Sequence, residues 1–322
     1  MLRKATWIGF VLVMVLAVTP GVFAKQQFLR MVSGPEGGSW YPLGAAMMTL
    51  VQKDTGIPSS NGPGGGVGNV RNVNKGNADL GWTFGFTAYD GWVGRDAFVK
   101  NGKQQNVRFF ATLFPGILQT AVPAKSPIKS YADLKDKNIS PGKKVFSGNV
   151  TVRRLLPLYG FDYDTVKKNG GTIHRVGYKD SVALMKDGHI DAFVGLTSVP
   201  NSSFIALDFS PGIRFLPVEG AVADKFVKQN PGFWKTSIPA GSYKSLTADV
   251  PTLATATVLV ISKSLPDELV YKITKAFWEQ HDEILKAHVA WKNVRLKDAL
   301  AAATVPVHPG AMKYYAEMGV KK

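Results

Sequence analysis

The chain has 322 residues, a formal net charge of +16 and no cysteine. A chain without cysteine forms no disulfide and supplies no thiolate for catalysis or metal binding, so its stability has to come from packing. Its excess of lysine and arginine raises the local concentration of anions. These basic residues are spread along the sequence rather than clustered, which argues against nucleic acid as a partner.

The first 24 residues have the pattern of a secretory signal peptide. Arg3 and Lys4 precede an apolar run from Trp7 to Val18, and small residues surround an expected cut after Ala24. The run is shorter than the roughly 20 apolar residues that a spanning helix needs, so we expect cleavage rather than a membrane anchor. Removal of 24 of the 322 residues leaves 298, and the loss of two basic side chains lowers the charge from +16 to +14. The mature product is expected in the periplasm and is long enough for two domains.

One structural pattern occurs twice along the chain. Each copy begins with a short Ser/Gly turn ahead of an apolar helix and ends with Gly-x-x-Asp ahead of an apolar strand. In the first copy the turn is 33–39, with Ser39 as the expected helix cap, and residues 43–51 have helical spacing. In the second copy the turn is 147–149, and Pro157 is expected to end a regular helix.

The Gly-x-x-Asp elements are the closest match between the two copies. The first runs from Gly76 to Asp79 and the second from Gly188 to Asp191. Glycine after a helix and a strand behind it are folding signals, so we expect these residues to organise the fold rather than to touch a ligand. Two such units with helix N-termini on facing loops would make an anion trap, because free N–H groups and helix dipoles point at the space between them.

Five segments, in order along the chain, resemble a known family. They are rich in Gly, Pro and aromatic residues: SGPEGGSWYPLG at 33–44, GHIDAF at 188–193, IPAGSY at 238–243, LPDELVY at 265–271 and VPVHPGA at 305–311. On these segments the chain resembles the TAXI (TRAP-associated extracytoplasmic immunogenic) solute-binding proteins of tripartite periplasmic transporters. The resemblance extends from Leu29 to the C-terminus.

The resemblance implies an α/β, two-lobed periplasmic-binding-protein fold of the venus-flytrap, type II kind, with a ligand cleft between the lobes. The apolar segment before Pro115 and Gly116 fits the first crossing between lobes, and the stretch 210–218 lies near the expected second crossing. After the signal peptide at 1–24, the expected division is a first part of lobe 1 at 25–115, lobe 2 at 116–214, and a return to lobe 1 with C-terminal helices at 215–322.

The same resemblance implies where the ligand is held. Gly66 stands where the family usually has serine, and Asn149 stands where it usually has threonine, so Asn149 or Thr151 would have to supply the missing donor. Adjacent arginines cannot share one helix face, so at most one of Arg153 and Arg154 is expected to face the cleft. The expected ligand-binding residues are Gly38, Ser39, Trp40, Tyr41, Gly66, Asn69, Thr83, Ser147, Gly148, Asn149 and Thr151.

The function implied is capture of a small anionic metabolite, a carboxylate such as glutamate or 2-oxoglutarate, and its delivery to the membrane permease subunits of a TRAP-type transporter. The protein is expected to be a monomer without cofactor or metal. The sequence contains no Gly-x-Ser-x-Gly elbow, no His-Glu-x-x-His and no P-loop, so an enzyme is not expected. An ABC-type substrate-binding protein and a ligand-sensing partner of a membrane kinase would use the same fold, and both stay open as alternatives.

Overall fold

A computed structural model describes residues 28–321 of the chain. The expected signal peptide at 1–24 and its cleavage site after Ala24 lie outside these residues. The strands are β1 Leu29–Val32, β2 Ser59–Gly62, β3 Leu80–Phe84, β4 Val107–Pro123, β5 Ile139–Ser140, β6 Ala192–Thr197, β7 Ile213–Phe215, β8 Phe233–Ile238 and β9 Val250–Ser262. The helices are α1 Trp40–Thr55, α2 Gly66–Asn74, α3 Gly85–Val93, α4 Ser147–Leu155, α5 Tyr163–Lys168, α6 Tyr178–Lys186, α7 Ser202–Phe209, α8 Gly220–Gln229, α9 Asp267–Glu279, α10 His281–Leu285 and α11 Pro309–Glu317.

These strands form one sheet in the order β2-β1-β3-β9-β4-β6-β5, with β7 added to β4 and β8 added to β9. β1 is parallel to β2 and β3, and β5 is parallel to β6, whereas β4 and β9 are antiparallel to their neighbours. The two long strands β4 and β9 pair with each other and join the two ends of the sheet. We call the end with β1 to β3 the first lobe and the end with β5 and β6 the second lobe.

The pairing of β4 with β9 is irregular where the chain passes from one lobe to the other. The register shifts between Thr112 and Pro115, and a Cβ atom on Gly116 would lie only 2.2 Å from the ring of Phe84. A proline without an N–H and a glycine without a side chain suit such an interruption of a ladder. The ladder between β4 and β9 is therefore interrupted at the Pro115-Gly116 step.

The segment 210–218 lies wholly against the second lobe. It contains β7, whose residues pair antiparallel with Ala121–Pro123 in the far half of β4. Its Pro-Gly pair resembles a linker in the sequence, but in the structure it forms the turn between α7 and β7. The strand that runs back to the first lobe is β9, which pairs with β8 through its first half and with β3 through its second half.

The two Gly-x-x-Asp elements perform the same task in the two lobes. Gly76 and Gly188 follow α2 and α6 with φ angles of 74° and 73°, a region that glycine enters without a steric penalty. The Asp79 carboxylate accepts a hydrogen bond of 2.8 Å from the backbone N–H of Arg30 in β1, and Asp191 accepts one of 2.7 Å from the residue before β5. Each carboxylate fastens the start of its own strand to the parallel neighbour, which is the organising role expected of these elements.

The C-terminal part of the chain completes the first lobe. Helix α11 packs on α9, and the Tyr315 hydroxyl donates a 2.7 Å hydrogen bond to the carbonyl of Phe110 in β4. The segment before α11 also touches the sheet, because Val307 forms a parallel bridge with Phe109. The first lobe is thus built from both ends of the sequence.

Candidate ligand-binding site

A small chamber of about 30 Å³ lies between the two lobes. The first lobe contributes Ser39, Trp40 and Gly66 to its wall, and the second lobe contributes Ser147 and Thr197. The other residues of the wall are Pro35, Gly38, Gly65, Phe84, Phe146, Gly148, Tyr178 and Leu196. A chamber of this size has room for little more than about two water molecules. The lobes are therefore shut against each other in this conformation.

Five helices begin at the chamber. Each of α1, α2, α3, α4 and α6 places its first residue or the residue before it in the wall, and each has nine or more residues. The first turn of a helix has N–H groups without partners in the helix, and its dipole places roughly half a positive charge there. Two of these helix ends belong to the second lobe, so positive potential reaches the chamber from both sides. The arrangement suits an anion.

Hydroxyl groups meet across the interface. The Ser39 hydroxyl lies 3.4 Å from that of Thr197 in the other lobe, and Thr87 donates a 2.9 Å hydrogen bond to the Ser147 oxygen. Ser39 precedes α1, as expected, but its side chain makes no hydrogen bond to the helix. Helix α4 begins at Ser147 itself, so Phe146 occupies its cap position. Both serine hydroxyls therefore contact groups between the lobes and cap no helix.

Trp40, one of the wall residues, has an unpaired donor. Its side chain is 6% exposed, and its ring packs 5.8 Å from that of Trp82 and 4.7 Å from that of Phe84. The indole N–H is buried and has no acceptor among residues 28–321. A buried donor without a partner is costly, typically about 1–3 kcal/mol, so a ligand oxygen that satisfied it would gain affinity.

Direct hydrogen bonds close the lobes beside the chamber. The N–H groups of Val67 and Gly68, in the first turn of α2, donate to the carbonyl of Val145 at 3.1 and 3.2 Å. On the other side, the hydroxyl of Ser203 donates to the carbonyl of Gly37 at 3.0 Å. The Val145 carbonyl carries the partial negative charge that the N-terminus of α2 attracts.

Six of the expected ligand-binding residues form part of the wall, namely Gly38, Ser39, Trp40, Gly66, Ser147 and Gly148. Two others support it from behind. The Asn69 amide donates to the carbonyls of Ser33 and Trp82 at 2.6 and 2.7 Å, and its oxygen accepts from the N–H of Gly65. The Thr83 hydroxyl donates to the carbonyl of Gly66 at 3.0 Å. These contacts hold the glycine loop in place.

The other three expected residues lie away from the wall. The Asn149 amide donates to the carbonyl of Gly142 at 2.8 Å, and the Thr151 hydroxyl donates to the carbonyl of Ser147 at 3.0 Å. Their donors are thus used within the second lobe. Tyr41 is half-buried in the first turn of α1, where its carbonyl accepts from the side chain of Asn61.

Sequence reasoning missed several wall residues, chiefly Phe146, Tyr178, Leu196 and Thr197 in the second lobe. Tyr178 begins α6, the helix that ends at the Gly-x-x-Asp element of the second copy of the duplicated pattern. Its counterpart in the first copy is Gly66, which begins α2, so the duplication itself was a usable signal. Leu196 and Thr197 are at the end of β6, and nothing in the local sequence marks that strand end as part of a site.

A larger basin of about 570 Å³ opens outside the chamber. The two spaces share four bordering residues, Pro35, Gly65, Phe146 and Tyr178. The basin is lined by four basic side chains, Arg71, Lys75, Lys143 and Lys179, and by two acidic ones, Glu36 and Asp180. Lining charges of mainly one sign raise the local concentration of the opposite ion, so the basin would guide anions inward.

The sequence profile of the NMT1-like family matches residues 31–319 of the chain. The chain belongs to the NMT1-like family.

Three solved structures show which fold this NMT1-like protein has. MatC from Rhodopseudomonas palustris with bound malate has a TM-score of 0.57 and 12% identity, covering 90% of this chain and 97% of that one. PhnD1 from Prochlorococcus marinus in complex with methylphosphonate has a TM-score of 0.55 and 11% identity, with coverage of 91% and 97%. A periplasmic transporter structure has a TM-score of 0.53 and 14% identity, with coverage of 92% and 94%. The expected α/β periplasmic-binding-protein fold of type II is thereby confirmed.

A cluster of charged side chains joins the lobes outside the chamber. Arg154 on α4 donates to the carboxylates of Asp90 and Asp96 in the first lobe, Arg153 also bonds Asp96, and Arg95 bonds Asp90 at 2.5 Å. Burial raises the pKa of Asp96, but hydrogen bonds from the two arginines outweigh it and hold that pKa below its usual range. Both arginines of the NMT1-like chain therefore bind protein carboxylates, and neither lines the chamber.

Residues 28–321 contain no group of three His, Asp or Glu side chains placed to hold a metal ion. In the same part of the chain, no helix combines the length and the apolar character that crossing a bilayer requires.

Proposed function

We propose that this protein is a periplasmic solute-binding protein that shuts its two lobes on a small anionic metabolite and delivers it to a membrane permease. The observation that carries this proposal is the convergence of five helix N-termini, from both lobes, on one chamber. The chamber wall has no ionisable acid or base apart from the buried Tyr178, so it has the groups for binding and not those for acid–base catalysis. The malate and methylphosphonate bound in two structurally similar proteins are both anions, which agrees with this choice.

Strand pairing supports a proposal for the lobe boundaries. We propose that the first crossing lies at Pro115-Gly116 and that the second lies in β9 near Ala256, which is paired with Pro115. The second lobe then extends to about residue 255 instead of ending at 214. Two adjacent crossing strands form the hinge, and rotation about them would open the chamber to solvent.

The more specific part of the proposal is that the partner is a permease of the TAXI type. It is supported by the five segments that resemble TAXI proteins, and it implies a TRAP permease and a monomeric binding protein in the periplasm. Proteoliposomes with the permease encoded beside this gene would test it. We expect uptake driven by an ion gradient without ATP, whereas strict ATP dependence would favour the ABC-type alternative. A sensor kinase in place of a permease beside the gene would favour a sensing role.

The ligand itself should first be identified by native mass spectrometry of protein purified from its own periplasm. Ser147→Ala and Ser39→Ala should each weaken binding of that cargo about ten-fold, because a hydrogen bond to a charged group contributes roughly 1.5–3 kcal/mol. Calorimetry measures the affinity, and thermal melting recorded separately controls for folding.

Thr49→Ala is the matched control for these serine variants. Its hydroxyl is on α1, like the Ser39 turn, but bonds only the carbonyl of Ala45 at 3.1 Å on the exposed side of the helix. We expect wild-type affinity from this variant. If both serine variants bind the cargo as tightly as the wild type, the chamber is not the ligand site.

A further inference from the structure

We infer that Thr197 donates a hydrogen bond to the bound anion, and that Asn201 is the positioning residue that leaves the Thr197 proton available for this bond. The inference rests on the proposed function and deepens it, because it adds one ligand contact and one supporting residue in the second lobe. Neither residue is among those that the TAXI resemblance implies.

Thr197 lies where the two lobes meet, at the end of β6. It is one of the wall residues of the chamber, and its Oγ1 is 3.4 Å from the Oγ of Ser39 in the first lobe. The gap between these two oxygens is therefore part of the space between the lobes. Hydrogen bonds between hydroxyls are usually about 2.7–2.8 Å long, so the two groups satisfy each other poorly. A ligand oxygen in this gap would be a better acceptor than the Ser39 hydroxyl, because it is charged.

Asn201 determines which way the Thr197 hydroxyl points. Asn201 precedes α7, and its Oδ1 accepts a 3.1 Å hydrogen bond from the N–H of Ser203, so it caps that helix. Because the amide oxygen is used at the helix, the amide nitrogen is the atom that faces Thr197, and it donates to Oγ1 at 3.3 Å. A hydroxyl whose oxygen accepts from an amide directs its own proton elsewhere. Among residues 28–321, the structure gives that proton one acceptor, the Ser39 hydroxyl across the chamber.

A buried network holds Asn201 in this position. Tyr243, the last residue of the IPAGSY segment, accepts a 3.1 Å hydrogen bond from the backbone N–H of Asn201 and donates to the side-chain oxygen of Gln119 in β4. The Gln119 amide donates in turn to the carbonyl of Ser198 at 3.0 Å. Both ends of the loop 198–201 are thus anchored to buried groups. A loop that is already ordered loses little conformational entropy when the anion binds.

Ser147 has the same arrangement in the second lobe. Its oxygen accepts a 2.9 Å hydrogen bond from Thr87, and the structure gives its proton no acceptor among residues 28–321. A Cβ atom on Gly66 would lie 2.2 Å from this oxygen, so the hydroxyl faces the wall that the first lobe contributes. Thr197 and Ser147 therefore form a pair of hydroxyls that both accept from the protein and are left to donate. Such a pair suits an oxyanion, which only accepts.

A double-mutant cycle on affinity tests the inference. The probe is the anion that mass spectrometry identifies on protein from its own periplasm, titrated by calorimetry into mature protein from which it has been removed. Thr197→Val keeps the shape of the side chain but removes the hydroxyl, and should weaken binding about ten-fold. Asn201→Ser keeps a helix cap but removes the amide donor, and should weaken binding about five-fold. If Asn201 acts through Thr197, adding Asn201→Ser to Thr197→Val should change the affinity less than about two-fold.

Two further variants separate this role from a structural one. Thr197→Ser keeps the hydroxyl, so it should bind the same anion within about two-fold of the wild type. Asn169→Ser is the matched control, because the amide of Asn169 donates to the carbonyl of Lys135 on an exposed part of the second lobe. We expect wild-type affinity from this control, and thermal melting of every variant is recorded separately.

Wild-type affinity of Asn201→Ser, or effects of the two substitutions that add in the double variant, would overturn the positioning role. Wild-type affinity of Thr197→Val would overturn the whole inference, but the solute-binding function survives if Ser147→Ala still weakens binding of the same anion. If neither Thr197→Val nor Ser147→Ala weakens binding, the chamber is the wrong site and the proposed function fails with the inference. If no anion is found on the protein, 2-oxoglutarate, glutamate and malate are titrated instead, and failure of all three to bind overturns both.

Discussion

Replacing Arg154 with methionine should lower the free energy of unfolding by about 3 kcal/mol. The side chains of Arg154, Asp90 and Asp96 are only 15%, 3% and 16% exposed, so the change leaves two carboxylates in a poorly solvated place. Removing one partner of a buried pair costs about 3–5 kcal/mol. The lower end applies here because Arg95 still bonds Asp90 and Arg153 still bonds Asp96. Methionine also removes the guanidinium that lies 5.4 Å over the ring of Phe86.

Urea unfolding at pH 7 measures this loss, and Lys167→Met is its control. Lys167 pairs with Asp164 at 3.0 Å on an exposed helix face, where removal of an ion pair changes stability by less than about 1 kcal/mol. Since the pKa of Asp96 is lowered in the folded protein, its contribution is present above the usual aspartate range and is lost as pH falls below about 4. The gap between Arg154→Met and wild type should therefore narrow in acid. If Arg154→Met lowers the free energy of unfolding at pH 7 by less than about 0.5 kcal/mol, the cluster contributes no more than an exposed ion pair does, and the reasoning is refuted.

Two further predictions concern closure and acid stability. Gly66→Ala places a Cβ atom 2.2 Å from the Ser147 oxygen, so this variant should keep the larger radius of the open form in small-angle scattering with saturating ligand. Gly62→Ala is the control, because its Cβ would meet nothing closer than 3.9 Å, and this variant should become compact with ligand as the wild type does. Equal compaction of both variants would contradict the closed geometry. Burial lowers the pKa of His308, so the folded state binds its proton less readily than the unfolded state and stability should fall as pH drops below about 6.5. His308→Asn keeps an acceptor for the Gly310 N–H, and in this variant the free energy of unfolding, measured with urea at pH 5 to 7, should fall less steeply with decreasing pH. If the free energy of unfolding depends on pH as in the wild type, His308 is not the source of the fall.

Local signals explain what could be predicted from the sequence. A glycine at positive φ after a helix, as at Gly76 and Gly188, is required by backbone sterics and is visible without any tertiary information. The same holds for Pro157, which ends α4 in a short 3₁₀ turn. The positions of the six wall residues came from the family resemblance, which the serine turns and the duplicated pattern support.

Long-range pairing explains what could not be predicted. Thr197 reaches Ser39 across 158 residues because β6 pairs with β4, and no local pattern records that pairing. The position of Arg154 one turn into α4 is compatible with an arginine that faces the cleft. Its partners Asp90 and Asp96, however, lie 64 and 58 residues earlier, in the first lobe. The donors of Asn149 and Thr151 were expected to be free, but only the folded loop shows that nearby carbonyls already use them.

The two crossing strands also determine the order in which the protein can be assembled. The strands of the second lobe lie in one stretch of sequence between β4 and β9, whereas the first lobe needs β1 at one end and α11 at the other. Closing a long chain segment costs entropy before its contacts form, so the first lobe is the slower one to complete. A chain interrupted before Tyr315 would lack the helix that bonds Phe110 in the crossing strand. The face that the first lobe contributes to the chamber is therefore completed only with the last helix, whereas the face of the second lobe does not depend on it.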